Sequence, residues 1–88
     1  MIRRRVIVHG LVQGVFFRDT VRRRAQSWGV AGWIRNRSDG AVEAHFEGLE
    51  PAVERMVAWC RQGPARATVT RVDVREDSPA GLESFRIQ

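Results

Sequence analysis

The sequence predicts one α+β domain in which an antiparallel sheet carries two helices on the same face. Apolar residues alternate with polar ones in several segments and recur at helical spacing in two others. These segments follow the order β-α-β-β-α-β, which is typical of two split βαβ units, and a short extra strand closes the chain. A chain of 88 residues can bury one core and no more, so we assign residues 1–88 to a single domain.

The first strand and the first helix show the two periodicities most clearly. Residues 2–9 predict a strand with an apolar face of Ile2, Val6 and Val8 and a mostly polar face of Arg3, Arg5, Ile7 and His9. Residues 19–28 predict an amphipathic helix whose apolar stripe extends back to Phe17 and comprises Val21, Ala25 and Trp28. Gly29 is a natural stop for this helix.

A hairpin follows the first helix. Residues 32–37 and 41–47 flank Ser38-Asp39-Gly40, and an Asp-Gly pair between alternating segments is typical of a tight turn. The second strand is expected to direct three apolar residues to the core and three polar ones outward: Val42, Ala44 and Phe46, then Glu43, His45 and Glu47. We expect Arg35 and Arg37 to pair with the glutamates across the two strands.

The second half of the chain completes the sheet. Pro51 suits the first turn of a helix that ends at Gly63-Pro64 and has an apolar stripe of Val53, Met56, Val57 and Cys60. Residues 68–75 predict a strand with Val72 and Val74 inward, and the alternation of Phe85 and Ile87 predicts a short final strand. Because both helices lie on one face, the other face of the sheet is expected to be open to solvent.

Composition limits the location and the partners of the protein. The lone Cys60 excludes an intramolecular disulfide, and no apolar run approaches the ~20 residues of a membrane span, so we expect a cytoplasmic protein without a membrane partner. All fifteen basic residues are arginines, and the formal net charge is +5. Such a surface can attract nucleic acid or a small anionic substrate, or simply keep the protein dissolved.

The segment between the first strand and the first helix predicts an anion site. Residues 8–18 are Val-His-Gly-Leu-Val-Gln-Gly-Val-Phe-Phe-Arg. Gly10 and Gly14 let the backbone curl so that N–H groups converge, a helix N-terminus adds partial positive charge, and Arg18 offers a fork suited to a tetrahedral anion. The segment lacks the Gly-Lys-Ser/Thr ending of a P-loop, and on spacing alone an ordinary turn remains an alternative.

Asn36 is the second candidate site residue. It follows Ile34 on the inward face of its strand, where a polar side chain needs a partner or a purpose. The alternative is that its side chain caps the adjacent turn. The remaining polar residues predict no further chemistry: His9 and His45 are expected at the surface, Cys60 in the core, and no cluster has the spacing of metal ligands.

Two segments resemble the signatures of the acylphosphatase family. Residues 8–18 match hydrophobic-x-Gly-x-Val-Gln-Gly-Val-x-Phe-Arg at every fixed position. Residues 32–48 resemble the second signature at Gly32, Trp33, Ile34, Arg35, Asn36, Gly40, Val42 and Gly48. Ile34 is a mild departure, since valine or alanine is more usual there. The resemblance covers essentially the whole chain.

The resemblance implies a ferredoxin-like αβ sandwich and hydrolysis of the carboxyl–phosphate bond of a small-molecule acyl phosphate. It implies no metal and no organic cofactor. Arg18 would bind the phosphoryl oxygens and Asn36 would orient the attacking water. The backbone amides of the preceding loop would cradle the phosphate: Val12, Gln13, Gly14, Val15, Phe16 and Phe17. No exposed apolar stripe demands a dimer, so we expect a monomer.

Two other classes of protein remain as alternatives. RNA-recognition domains share this element order, but they stack bases on aromatic residues of the first and third strands. The corresponding residues here include no aromatic side chain and two acidic ones: Arg3, Arg5, Ile7, His9, Glu43, His45 and Glu47. The other alternative is a non-catalytic phosphate-binding domain of the kind found inside larger carbamoyl-transfer proteins. The presence of both Arg18 and Asn36, with no further domain in the chain, favours an enzyme.

Overall fold

The predicted order of elements is confirmed by a computed structural model that describes residues 1–88. The elements are β1 (Ile2–Leu11), α1 (Phe17–Ser27), β2 (Ala31–Asn36), β3 (Val42–Gly48), α2 (Glu50–Gln62), β4 (Thr68–Asp77) and β5 (Phe85–Ile87). The strands form one sheet in the order β4-β1-β3-β2-β5, with β1 and β3 at its centre. Neither helix is both long and apolar enough to span a membrane.

The four strands of the two βαβ units pair antiparallel as predicted, and the extra fifth strand adds a parallel pair. β5 pairs in parallel with β2, with Ile87 opposite Ile34, and the Gln88 N–H donates to the Ile34 carbonyl at 2.8 Å. The reason is the position of β4, which occupies the opposite edge of the sheet. Residues 78–84 turn the chain back across the sheet, so β5 reaches the far edge running in the direction of β2. The sheet is therefore mixed.

The core lies between the two helices and the sheet face that they cover. Its buried residues come from every strand except β4 and from both apolar stripes, and they include Val6, Val8, Phe17, Val21, Ile34, Phe46, Met56 and Cys60. Cys60 is fully buried, which confirms the prediction of a core thiol, and burial raises its pKa to about 12. Val74 is 36% exposed, because β4 is an edge strand that the helices cover only in part.

The opposite face of the sheet was predicted to be open to solvent, but the structure shows that it is covered. Glu43, His45 and Glu47 point outward from β3, yet they are only 4%, 6% and 4% exposed. The Trp33 ring stacks on the His45 imidazole with their centroids 4.1 Å apart. The N–H groups of Ala80 and Leu82 donate to the Glu47 carboxylate at 2.7 and 2.8 Å. The prediction that His45 is a surface residue was therefore wrong.

Arginine side chains cover the rest of this face. Arg5 and Arg35 donate to the two oxygens of the Glu43 carboxylate at 3.1 and 2.9 Å. Arg3 lies 3.0 Å from Nδ1 of His45, and because arginine can only donate, Nδ1 accepts and Nε2 donates to Glu43. Arg35 thus pairs as predicted, whereas Arg37 binds Asp39 at 3.0 Å instead of a glutamate.

The Glu43 carboxylate makes folding stability sensitive to acid. Burial alone would raise its pKa, but hydrogen bonds from His45, Arg35 and Arg5 outweigh burial and lower the pKa from 4.5 to about 2. Because the folded pKa lies below the unfolded one, Glu43 stabilises the fold fully above pH 4.5 and loses this contribution as the pH falls toward 2. We expect Glu43→Gln to unfold at lower urea than wild type at pH 7, with a difference that shrinks below pH 4.

Urea titrations of both proteins at pH 7, 4 and 3 measure this difference. The matched control is Glu76→Gln, because Glu76 lies on the edge strand β4 with a side chain 86% exposed. Exposed ion pairs contribute little, so Glu76→Gln should follow wild type at every pH. A constant gap between Glu43→Gln and wild type from pH 7 to pH 3 would contradict the role assigned to Glu43.

Candidate active site

The end of β1 is shaped by Gly10, which was predicted to lie in the loop. The strand continues to Leu11, and the pairing of β1 with β4 shifts register between His9 and Gly10. Gly10 has φ 127°, and a Cβ added there would lie 2.0 Å from the Thr68 carbonyl oxygen. Only glycine fits such a bulge, because any side chain here would collide with the backbone of β4.

The loop backbone between β1 and α1 has the conformation of an anion-binding nest. Gly14 and Phe16 have positive φ values of 73° and 62°, while Val15 and Phe17 have negative ones. Alternation of left- and right-handed residues turns successive N–H groups toward one concave side. The N–H groups of residues 13–19 donate to no backbone carbonyl, and the first helical bond runs from Thr20 to Phe16 at 3.1 Å. These donors are available to an anion.

Phe16 is the only non-glycine residue with positive φ. It precedes α1 at the N-cap position in the left-handed region, and its side chain is 69% exposed. For a residue with a Cβ this conformation costs roughly 1–2 kcal/mol. The equivalent residue before α2, Leu49, has an ordinary extended conformation with φ −65°. The strain is therefore particular to the loop that forms the nest.

Gln13 holds this loop against the β2–β3 hairpin. Its Nε2 donates to the carbonyl oxygens of Arg37 and Ala41 at 2.7 and 2.9 Å. These two carbonyls are on either side of the turn, close to the end of β2 that carries Asn36. The side chain of Gln13 thus fixes the loop relative to the strand end.

A cleft of about 320 Å³ lies between the loop, the start of α1 and the end of β2. It is lined by Val12, Gly14, Phe16, Phe17, Arg18, Asp19, Asn36 and Ile87. The structure therefore brings most of the predicted site residues together, but Gln13 and Val15 do not line the cleft. Sequence reasoning missed Asp19 and Ile87. Asp19 adjoins Arg18 in the chain, whereas Ile87 arrives only through the pairing of β5 with β2.

Arg18 brings an uncompensated positive charge to this cleft. It makes no ion pair, although Asp19 is its neighbour. Arg22 and Arg23 bind the Asp19 carboxylate at 2.7 and 3.2 Å, one turn along the same helix. Because these arginines neutralise Asp19, the guanidinium of Arg18 keeps its donors for an anion at the N-terminus of α1, where the helix dipole also favours negative charge.

Asn36 contributes a polar group without a protein partner. Its Oδ1 is buried and accepts no hydrogen bond. The turn that Asn36 would cap in the alternative interpretation is closed by other groups, with the Ala41 N–H donating to Asp39 Oδ1 at 3.0 Å. A buried acceptor without a partner costs about 1–3 kcal/mol, so its retention beside the nest points to the chemistry of the cleft.

The family model named Acylphosphatase matches residues 4–87. Two curated acylphosphatases are similar over 98% of the chain: one from Gloeobacter violaceus (51% identical, 92% of its length covered) and one from Haloarcula marismortui (50% identical, 94% covered).

Solved structures show the same likeness. The acylphosphatase from Bacillus subtilis superposes with a TM-score of 0.96 and 40% identity, over 100% of this chain and 99% of that one. A full-length HypF crystallised in its phosphate- and nucleotide-bound form has a TM-score of 0.91 and 27% identity, over 99% of this chain and 12% of that chain. The resemblance inferred from the two signatures is thus confirmed, and it extends over nearly the whole chain. The chain belongs to the acylphosphatase family.

Proposed function

We propose that Arg18, the loop amides and Asn36 carry out the reaction of this acylphosphatase, the hydrolysis of an acyl phosphate to a carboxylate and inorganic phosphate. One observation supports the assignment above all. An unpaired arginine, a run of unpaired N–H donors and an amide without a partner face a single cleft. Each group lacks a structural partner, and each suits a different part of the reaction.

Arg18 and the nest form the phosphate site in this proposal. The Arg18 guanidinium can donate to two phosphoryl oxygens at once, and the N–H groups of residues 12–18 supply neutral donors around the third. Gly14 has open space where a side chain would begin, so an anion can approach the loop backbone closely. These donors are fixed before substrate arrives, which is the condition under which they stabilise charge most effectively in the transition state.

Asn36 positions the attacking water on the phosphorus. The water oxygen forms a bond to phosphorus while the bond from phosphorus to the acyl oxygen breaks, and the electron pair of that bond leaves on the carboxylate. The proton of the water passes to a phosphoryl oxygen of the substrate. No general base is required from the protein, because a carboxylate is a good leaving group and positioning provides most of the catalysis of phosphoryl transfer. The one carboxylate in the cleft, Asp19, is already bound by two arginines.

We further propose a cytoplasmic monomer that acts on a small molecule and requires neither a metal nor a nucleic-acid partner. No group of three or more His, Cys, Asp or Glu side chains is placed to hold a metal ion. The sheet face that RNA-recognition domains use is filled here by ion pairs, and its one aromatic residue, Trp33, is stacked on His45. That arrangement offers no free ring on which a base could stack.

Phosphate release from benzoyl phosphate tests the proposed function. We expect rapid turnover by the wild-type protein and the same rate with excess chelator, because every group assigned to the reaction is a side chain or a backbone amide. A loss of rate on chelation would contradict the metal-free mechanism. A folded protein that binds inorganic phosphate without hydrolysing benzoyl phosphate would instead indicate a non-catalytic phosphate-binding domain.

A further inference from the structure

Phe16 combines a left-handed backbone that the nest requires with an exposed ring that the phosphate site does not explain. Its backbone is left-handed, which a glycine would adopt without strain, and its ring is 69% exposed at the cleft. Leu49, the residue at the same position before α2, is similarly exposed but has an unstrained backbone. The nest requires the conformation of residue 16, but it does not require a ring there. A large apolar side chain retained at a strained functional position suggests a role for the side chain itself.

The cleft offers more apolar surface than a phosphate can use. Four of its eight lining residues are hydrophobic. Val12 and Phe17 are buried in the core at 1% and 2% exposure and present little surface to a ligand. The accessible apolar wall is therefore formed by Phe16 and the half-buried Ile87. A phosphoryl group has only polar oxygens, so this wall is available to the remainder of the substrate.

We propose that the Phe16 ring, with Ile87 in the same cleft, forms the binding surface for the acyl group and selects acyl phosphates whose acyl group is aromatic or extended and apolar. This inference rests on the proposed function, because the phosphate held by Arg18 and the nest places the attached acyl group beside the loop. The Phe16 ring contacts no atom of the reacting phosphoryl group. It is a specificity residue, which lowers the free energy of the bound substrate and of the transition state alike.

The test compares two substrates that share a reacting group and differ in the acyl part. The value of kcat/KM for benzoyl phosphate and for acetyl phosphate is measured in wild type, Phe16→Ala, Phe16→Gly and the control Leu49→Ala. Both Phe16 variants should lose roughly 10-fold more kcat/KM on benzoyl phosphate than on acetyl phosphate. Leu49→Ala, at a residue outside the cleft, should match wild type on both substrates.

The glycine variant controls for a change in the loop conformation. Glycine adopts the conformation of residue 16 freely, so Phe16→Gly keeps the nest even if alanine disturbs it. Equal losses on both substrates, or weakened phosphate inhibition in both variants, would show that the ring only supports the loop and would overturn the proposal. Unchanged selectivity in both variants would overturn it as well.

Binding of non-hydrolysable analogues separates this inference from the proposed function. Benzoylphosphonate and acetylphosphonate lack the bridging oxygen and join the acyl carbon directly to phosphorus, so they cannot be hydrolysed as acyl phosphates are. Their affinities are measured by calorimetry. We expect wild type to prefer benzoylphosphonate and both Phe16 variants to lose most of that preference. Equal affinity of wild type for the two analogues would overturn the acyl subsite. Selective binding of benzoylphosphonate by a protein that hydrolyses neither acyl phosphate would overturn the proposed function alone.

Discussion

Replacing Arg18 with alanine should lower kcat/KM for benzoyl phosphate by at least about 1,000-fold, the magnitude seen when an arginine that stabilises a phosphoryl transition state is removed. The structure gives two reasons for so large an effect. No other arginine lines the cleft, and Asp19, the only carboxylate there, is held by other residues. Inhibition by inorganic phosphate should weaken as well, because the same guanidinium binds the ground-state anion.

Two further variants determine whether geometry or charge matters. Arg18→Lys keeps the charge but offers a single ammonium in place of a planar fork, so it should remain at least about 10-fold below wild type. Arg61→Ala removes one positive charge from an exposed position in the last turn of α2, outside the cleft. We expect its activity to match wild type. A similar loss in Arg61→Ala would mean that the net charge attracts the substrate and that Arg18 holds no special position.

The roles of Arg18 and Asn36 depend on topology that the sequence could predict. The strand-loop-helix pattern before Arg18 and the hairpin after Asn36 arise from neighbouring residues, so local periodicity was sufficient to place them. In a split βαβ unit, β2 runs parallel to β1, so the end of β2 lies beside the loop that follows β1. Asn36 was also marked by its position alone, as a polar residue where the alternation of its strand predicts an apolar one.

Features that depend on distant partners could not be predicted in this way. Alternation showed that Glu43 and His45 leave the helix-covered face, but their burial depends on the arginines and on Trp33 that lie over them. The parallel pairing of β5, and with it the place of Ile87 in the cleft, depends on how residues 78–84 cross the sheet. The left-handed backbone of Phe16 had no signal either, since such a conformation usually indicates glycine or asparagine.

Asn36→Ala should lower kcat by roughly 100- to 1,000-fold while inhibition by inorganic phosphate stays within about 2-fold of wild type. The substitution affects kcat and not phosphate inhibition because, in the proposed mechanism, Asn36 binds the attacking water, whereas Arg18 and the loop bind the phosphate. Measured side by side, Arg18→Ala should lose both turnover and phosphate binding. If phosphate inhibition weakened equally in the two variants, the division of roles between Arg18 and Asn36 would be wrong.

The same substitution should leave stability intact, and this distinguishes a catalytic Asn36 from a structural one. A residue that capped the turn would stabilise the fold through its hydrogen bonds, and removing it would cost about 1 kcal/mol. Asn36 instead has a buried Oδ1 with no partner, so truncation to alanine removes a desolvation penalty that no hydrogen bond offsets. We expect the urea midpoint of Asn36→Ala to equal or exceed that of wild type. A variant that is both inactive and clearly less stable would assign Asn36 a structural role. Removing a residue that serves catalysis and not stability should lower activity alone.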